Sequence, residues 1–204
     1  MRKIWIVGSS HGVYLGSELE KIARESSDPT FVVRNFSHRG AKYEQLIWPK
    51  VSEVKETDVI IVIPFGNDLL RGYSVKRRGF WHLEKFFPQT NRKFVELYLY
   101  LYHDCSKYSC KILVLSNFYR MFCCELHKHH GWLKYQYIRN RELQQELADL
   151  EPRVRVLDHR ALVDDRAGKK RAKQNIHYYT SLQRDNVHFR RYDIIAKNVY
   201  AAAL

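Results

Sequence analysis

The stretch Ile4-Trp5-Ile6-Val7-Gly8-Ser9-Ser10-His11-Gly12 decides the fold of this 204-residue chain. It opens with four apolar residues and continues as a polar turn, and from Val13 to Ala23 apolar residues recur at helical spacing. The order predicts a short strand, a loop and then a helix. A strand that leads into a helix in this way begins the crossover connection that parallel strands require.

The rest of the chain repeats this alternation. Further strands are predicted at Phe31–Val33, Val59–Ile63, Ile112–Leu115 and Val154–Leu157. Helices are predicted at Tyr43–Val54, Asn91–Lys107, Leu133–Leu150 and about Phe189–Ala202. Strands alternating with helices indicate a three-layer αβα domain of the α/β class, with a five-stranded, mostly parallel, doubly wound sheet. We expect one domain over residues 1–204, because a chain of this length can complete a single core.

One segment within these helices has an ambiguous pattern. Tyr98-Leu99-Tyr100-Leu101-Tyr102 alternates as a half-exposed strand would, but its surroundings favour a helix. We therefore include it in the predicted helix Asn91–Lys107.

Composition and the first residues bear on location and partners. Lys and Arg number 35 against 22 Asp and Glu, a formal net charge of +13, which favours association with polyanions. Met1, Arg2 and Lys3 lead directly into the run Ile4–Val7, which is too short for a signal peptide core or a membrane span. We expect an intracellular protein, cytoplasmic or nuclear, with its four cysteines as thiols.

Three polar groups follow predicted strands or precede the last helix. They are Gly8-Ser9-Ser10 after the first strand, Gly66-Asn67-Asp68 after the third, and Asp185-Asn186-Val187-His188 before the final helix. Ligands of parallel α/β sheets bind outside the carboxyl ends of the strands. We therefore expect these groups to converge there.

In this order and at these strand ends, the groups resemble the blocks of the SGNH (GDSL-like) esterase and lipase superfamily, over nearly the whole chain. The resemblance implies that Ser10 is the nucleophile and that Asp185 and His188 complete a catalytic triad. It also implies an oxyanion hole formed by Ser10, Gly40 and Asn67. The turn that contains Gly40 has a second explanation, since it could require glycine for the backbone angles alone.

The residue types suit ester hydrolysis through an acyl-enzyme on a small ester substrate. A serine hydroxyl needs a base, and the imidazole of His188 titrates near neutrality. Asp185, three residues earlier, can orient that ring and stabilise its charged form. This chemistry requires no cofactor and no metal.

Two positions depart from the family pattern. The first block usually reads Gly-Asp-Ser, whereas this chain has Ser9 in place of the acid. The third block usually has glycine two residues before the asparagine, where this chain has Phe65. Both changes bear on substrate range and efficiency more than on the type of reaction.

A second function, of a different class, is an SGNH-like module that binds RNA or DNA with little or no hydrolase activity. Some SGNH-like domains of germ-plasm and retrotransposon proteins are associated with RNA, so the resemblance allows this alternative. Basic clusters beside tyrosines suit phosphate contacts and base stacking. The residues concerned are Lys76, Arg77, Arg78, Lys169, Lys170, Arg171, Lys173, Arg190 and Arg191.

One segment is rich in thiols and imidazoles. Cys123 and Cys124 lie just before His127, His129 and His130, but the paired spacings of zinc sites are absent. We interpret the segment as packing around Phe122 and Trp132, with no metal bound. The oligomeric state cannot be predicted from the sequence.

Overall fold

A computed structural model describes residues 1–26, 31–64, 83–115, 145–157 and 191–204. Within these residues, five strands form one sheet in the order β2-β1-β3-β4-β5, and every pairing between neighbours is parallel. The strands are β1 (Arg2–Gly8), β2 (Phe31–Asn35), β3 (Val59–Ile63), β4 (Lys111–Leu115) and β5 (Val154–Leu157). The predicted α/β class is confirmed, and the sheet is wholly parallel.

Helices cover both faces of this sheet. They are α1 (Ser10–Glu25), α2 (Leu83–Cys105), α3 (described over 145–150) and α4 (Tyr192–Ala203). One core joins α1 and α4 to the sheet face bearing Ile4, Ile6 and Ile61. The other joins α2 and α3 to the face bearing Trp5, Ile60 and Val62. All five residues of β3 are buried because this strand has a layer on each side.

The segment Tyr98–Tyr102 is helical, as predicted. Tyr98 and Leu101 are buried whereas Leu99 and Tyr100 are exposed, which is the period of a helix and not of a strand. The helix α2 begins at Leu83, eight residues before the predicted start. Of the predicted helix Leu133–Leu150, only residues 145–150 are described, and they are helical.

The predicted helix Tyr43–Val54 is wrong. The structure has two short 3₁₀ helices, Tyr43–Gln45 and Val51–Glu53, with extended chain between them. Pro49 explains the break, because a proline disfavours helical angles in the residue before it and cannot donate a backbone hydrogen bond. The segment instead packs on the second core, where Trp48 stacks on Tyr108 and the Tyr108 hydroxyl donates to the Pro49 carbonyl over 2.7 Å.

The strand order reverses between β1 and β3, since the chain first adds β2 on one side of β1 and then β3 on the other. Gly8 at the end of β1 pairs with Ile63 at the end of β3. Loops diverge at such a reversal and leave a crevice at the carboxyl ends of the strands, the usual place for a ligand in this architecture. Within the described part of the chain, no helix is long and apolar enough to cross a membrane.

Candidate active site

Ser10 lies at this reversal. It is the first residue of α1 and follows β1 after Gly8 and the extended N-cap residue Ser9. The side chain is largely buried, with 8% of the residue exposed. Ser10 is thus positioned by two elements, since β1 ends two residues before it and α1 begins with it.

The beginning of α1 favours negative charge near Ser10. The amides of Gly12 and Val13 donate to the Ser9 carbonyl, so the hydrogen bonding of the helix begins at Ser9, and the first turn contains no acidic side chain. The first amides of a helix lack partners within it, and the helix dipole places partial positive charge there. An oxyanion that forms beside Ser10 would therefore be stabilised by the helix.

The loop after β2 packs directly against this part of α1. The His38 amide donates to the Gly8 carbonyl over 3.2 Å, and the Asn35 side-chain amide donates to the Gly12 carbonyl over 3.2 Å. Gly12 permits the approach, because a Cβ at this position would overlap the Ser37 hydroxyl and lie 2.7 Å from Ser37 Cβ. The polar residues after β1 and β2 are thus brought together.

Gly40, the second described residue of the predicted site, lies further along the same loop. Its φ of 77° falls in the left-handed region, where glycine is favoured. A Cβ at this position would meet no atom within 4 Å. The positive φ explains why a glycine occupies this position. The role of the Gly40 amide in an oxyanion hole stays a prediction.

Sequence reasoning missed His11 and Tyr192. His11, beside Ser10, is 2% exposed, and its Nδ1 is joined to the Tyr192 hydroxyl by a hydrogen bond of 2.6 Å. Tyr192 is the first residue of α4, and its ring stacks on Tyr14 of α1 at 5.3 Å. The only signal in the sequence was a histidine directly after the candidate nucleophile, and nothing local linked it to a tyrosine 181 positions away.

Three further polar atoms near the ends of β1 and β2 are buried. Within the described ranges, the Ser9 hydroxyl, the Ser37 hydroxyl and Nδ1 of His38 have no hydrogen-bond partner. Ser9, which stands where the SGNH pattern has an acid, is 2% exposed. Buried polar atoms without partners are uncommon in proteins and concentrate at functional sites or at bound water.

Several predicted residues lie outside the described residues, and their placement stays a prediction. This holds for Phe65, Asn67, Asp185 and His188, and for the cysteine and histidine segment 123–130. Of the residues predicted to contact nucleic acid, Arg191 is described and the others lie outside the described residues. The guanidinium of Arg191 forms two hydrogen bonds of 2.9 Å with the Asp193 carboxylate, so this cation is partly neutralised.

The described part of the chain contains two of the four cysteines. Cys105 and Cys110 are buried free thiols, and burial raises the pKa of the Cys110 thiol to about 11 and that of Cys105 further. Such thiols stay protonated near neutrality and are poor nucleophiles. Across the same residues, no three His, Cys, Asp or Glu side chains are grouped as a metal would require.

No protein-family model matches the chain, and no curated protein resembles it in sequence. Solved structures do resemble it in fold. An acetylxylan esterase from Geobacillus stearothermophilus aligns with a TM-score of 0.55 and 14% identity, over 99% of this chain and 94% of that one. A lipase/acylhydrolase from Enterococcus faecalis aligns with a TM-score of 0.58 and 14% identity, over 99% and 97%.

A gut microbial diltiazem-metabolizing enzyme aligns with a TM-score of 0.67 and 13% identity, over 99% of this chain but 46% of that one. At these identities the likeness shows the shared fold. Ester hydrolysis by this chain has to be argued from its own residues.

Proposed function

We propose that this chain, which has the fold of the SGNH/GDSL-type esterases and lipases, is a serine ester hydrolase. The observation that carries the proposal is the position of Ser10 at the first residue of a helix, beside the reversal of strand order. That position places a hydroxyl beside the carboxyl ends of β1 and β3, where ligands of this architecture usually bind, and at the positive end of a helix.

In the proposed reaction, Ser10 Oγ attacks the ester carbonyl carbon while His188 accepts the hydroxyl proton. The carbonyl oxygen becomes an oxyanion, to which the Ser10 and Gly40 amides and the Asn67 side-chain amide donate. The carbon–oxygen bond to the alcohol then breaks, and His188 returns its proton to the departing oxygen. Water attacks the acyl-enzyme by the same route and releases the acid, with Asp185 orienting the imidazole throughout.

Covalent geometry allows the distant residues to reach Ser10. Asn67 follows Ile63 by four residues, and Ile63 pairs with Gly8. His188 precedes Tyr192 by four residues, and Tyr192 contacts His11. Because an extended chain spans at most about 3.6 Å per residue, covalent geometry keeps Asn67 within about 14 Å of Ile63 and His188 within about 14 Å of Tyr192. Chain length is therefore compatible with the proposed roles of both residues.

The neutral Ser9 shapes the proposed site. The SGNH pattern has a carboxylate here, and this chain has a small buried hydroxyl. A fixed negative charge beside the nucleophile would oppose formation of the oxyanion, and the start of α1 carries none. The proposed site therefore depends on amides and the helix for its electrostatics.

The decisive experiment compares Ser10→Ala with Ser17→Ala. Ser17 lies on the same helix but is exposed, so its replacement controls for the loss of a hydroxyl from α1. We expect the wild type and Ser17→Ala to hydrolyse short p-nitrophenyl esters and to react with a fluorophosphonate probe at Ser10. Ser10→Ala is expected to do neither while keeping the circular dichroism spectrum of the wild type. A wild type that neither hydrolyses the esters nor reacts with the probe would rule out the proposal.

A further inference from the structure

Tyr192, the first residue of α4, contacts the beginning of α1 through its hydroxyl and through its ring. Tyr192 is 7% exposed, and its hydroxyl is hydrogen-bonded to Nδ1 of His11 at 2.6 Å. Its ring stacks on Tyr14, one turn further along α1, with an interplanar angle of 28°. The hydrogen bond and the stack fix both the position and the tilt of the tyrosine.

Burial makes this connection rigid. A tyrosine hydroxyl removed from water needs a hydrogen-bond partner, and the imidazole supplies one in an interior position. The apolar residues around the pair add to the constraint, since Leu15 of α1 and Ile195 of α4 belong to the same core. The first turn of α4 is therefore held against the first turn of α1.

Ser10 directly precedes His11, so the connection ends one residue from the proposed nucleophile. On the other side, the chain that leads into Tyr192 carries Asp185 and His188. A hydrogen bond between His11 and Tyr192 thus fixes where that chain enters α4 relative to Ser10. Catalysis is sensitive to such spacing, because a displacement of about 1 Å can cost on the order of 100-fold in rate.

We infer that His11 and Tyr192 are positioning residues of the active site, whose hydrogen bond sets the spacing between Ser10 and the chain entering α4. The inference rests on the proposed ester hydrolysis and adds two residues that do not touch the reacting atoms. It predicts an effect on turnover without a matching effect on substrate binding.

Tyr192→Phe removes the hydroxyl and keeps the ring that stacks on Tyr14. The matched control is Tyr200→Phe, which removes a hydroxyl from the same helix at a site packed edge-on against Phe31. Among the described residues, the buried Tyr200 hydroxyl has no hydrogen-bond partner, so its loss should be tolerated. His11→Asn is the conservative variant, since its amide places a hydrogen-bonding atom near the position of Nδ1.

We expect Tyr192→Phe to lower kcat for a p-nitrophenyl ester about tenfold to 100-fold, with KM close to the wild-type value. Tyr200→Phe should match the wild type, and His11→Asn should restore most of the turnover that His11→Leu loses. Amide hydrogen exchange of the peptide covering 185–195 is measured for all variants. It should be faster in Tyr192→Phe and unchanged in Tyr200→Phe.

Hydrogen exchange separates failure of this inference from failure of the proposed function. Faster exchange in Tyr192→Phe together with an inactive wild type would support the connection and reject ester hydrolysis. An active wild type whose kcat survives Tyr192→Phe would overturn the inference and leave the proposed function standing. Equal losses of kcat in Tyr192→Phe and Tyr200→Phe would overturn it as well.

Discussion

The indole Nε1 of Trp5 donates a hydrogen bond of 3.0 Å to the carboxylate of Asp58, across 53 positions of sequence. The same carboxylate accepts from the Lys3 amide at 2.8 Å and from the Lys55 amide at 3.0 Å. Asp58 is 1% exposed and directly precedes β3. Its three bonds join the beginnings of β1 and β3, at the opposite end of the sheet from Ser10.

Asp58→Asn should destabilise the fold by about 2 kcal/mol, because one remaining oxygen cannot accept all three bonds and a buried donor is left unpaired. Trp5→Phe should destabilise the fold as well, because it removes one of the three donors and leaves a cavity in the core. Urea denaturation measures both, with the exposed Glu53→Gln as the control. An Asp58→Asn variant as stable as the wild type would show that these bonds contribute little.

Stability should fall in acid, and Asp58 should account for part of the fall. Burial alone would raise the pKa of Asp58, but the bonds from Lys55, Trp5 and Lys3 outweigh it and hold the pKa below its ordinary value of 3.8. A carboxyl with a lowered folded pKa contributes stability above its unfolded pKa and loses it as pH falls through the folded value. The pKa of Glu151 is lowered as well, mainly by the hydrogen bond that it accepts from Arg153, so Glu151 should contribute to the same loss of stability in acid.

The measurement is the free energy of unfolding from urea titrations between pH 2 and about pH 6. The wild-type curve should decline as the pH falls below about 4. The Asp58→Asn curve should decline less steeply over that window, since one of the contributing carboxyls is gone. Parallel curves for the two proteins would contradict the lowered pKa of Asp58.

Gly12→Ala should destabilise the fold although alanine is the better helix former. The gain in helix propensity is about 1 kcal/mol, but the added methyl overlaps Ser37, and such overpacking costs about 1–3 kcal/mol. The double variant Gly12→Ala with Ser37→Gly should recover stability, because it removes the atoms that the methyl meets. Thermal denaturation provides the measurement.

Gly40→Ala is the contrasting variant. Its side chain enters open space, so the cost of roughly 1 kcal/mol or more comes from the positive φ alone. Ser37→Gly should not recover that loss. A Gly12→Ala variant more stable than the wild type would contradict the close approach of Ser37 to Gly12.

Local patterns predicted the sheet well because β3 and β5 each begin with a valine directly after a charged residue, Asp58 or Arg153. Val59–Ile63 and Val154–Leu157 match the structure residue for residue. The helix predicted at Tyr43–Val54 does not form because Pro49 interrupts the segment, although the spacing of the apolar residues around it suits a helix. The position of Ser10 followed from local sequence, since a strand, a short turn and a helix occur in succession.

The surroundings of Ser10 could not be predicted in the same way. The contacts of Ser37 with Gly12 and of Tyr192 with His11 depend on how β2 and α4 are placed around β1. No periodicity in the chain encodes such placement. The two glycines at positions 12 and 16 of α1 were the available hint that another part of the chain approaches that helix closely.

The attachment of α4 to α1 also has a consequence for synthesis of the chain. Tyr192 follows His11 by 181 positions in the chain. At about 5–20 residues per second, the ribosome therefore adds Tyr192 roughly 10–40 s after His11. During that interval Leu15 and Leu19 lack the helix that later covers them. The nascent polypeptide thus carries an uncovered apolar stripe along α1, the kind of surface that chaperones bind.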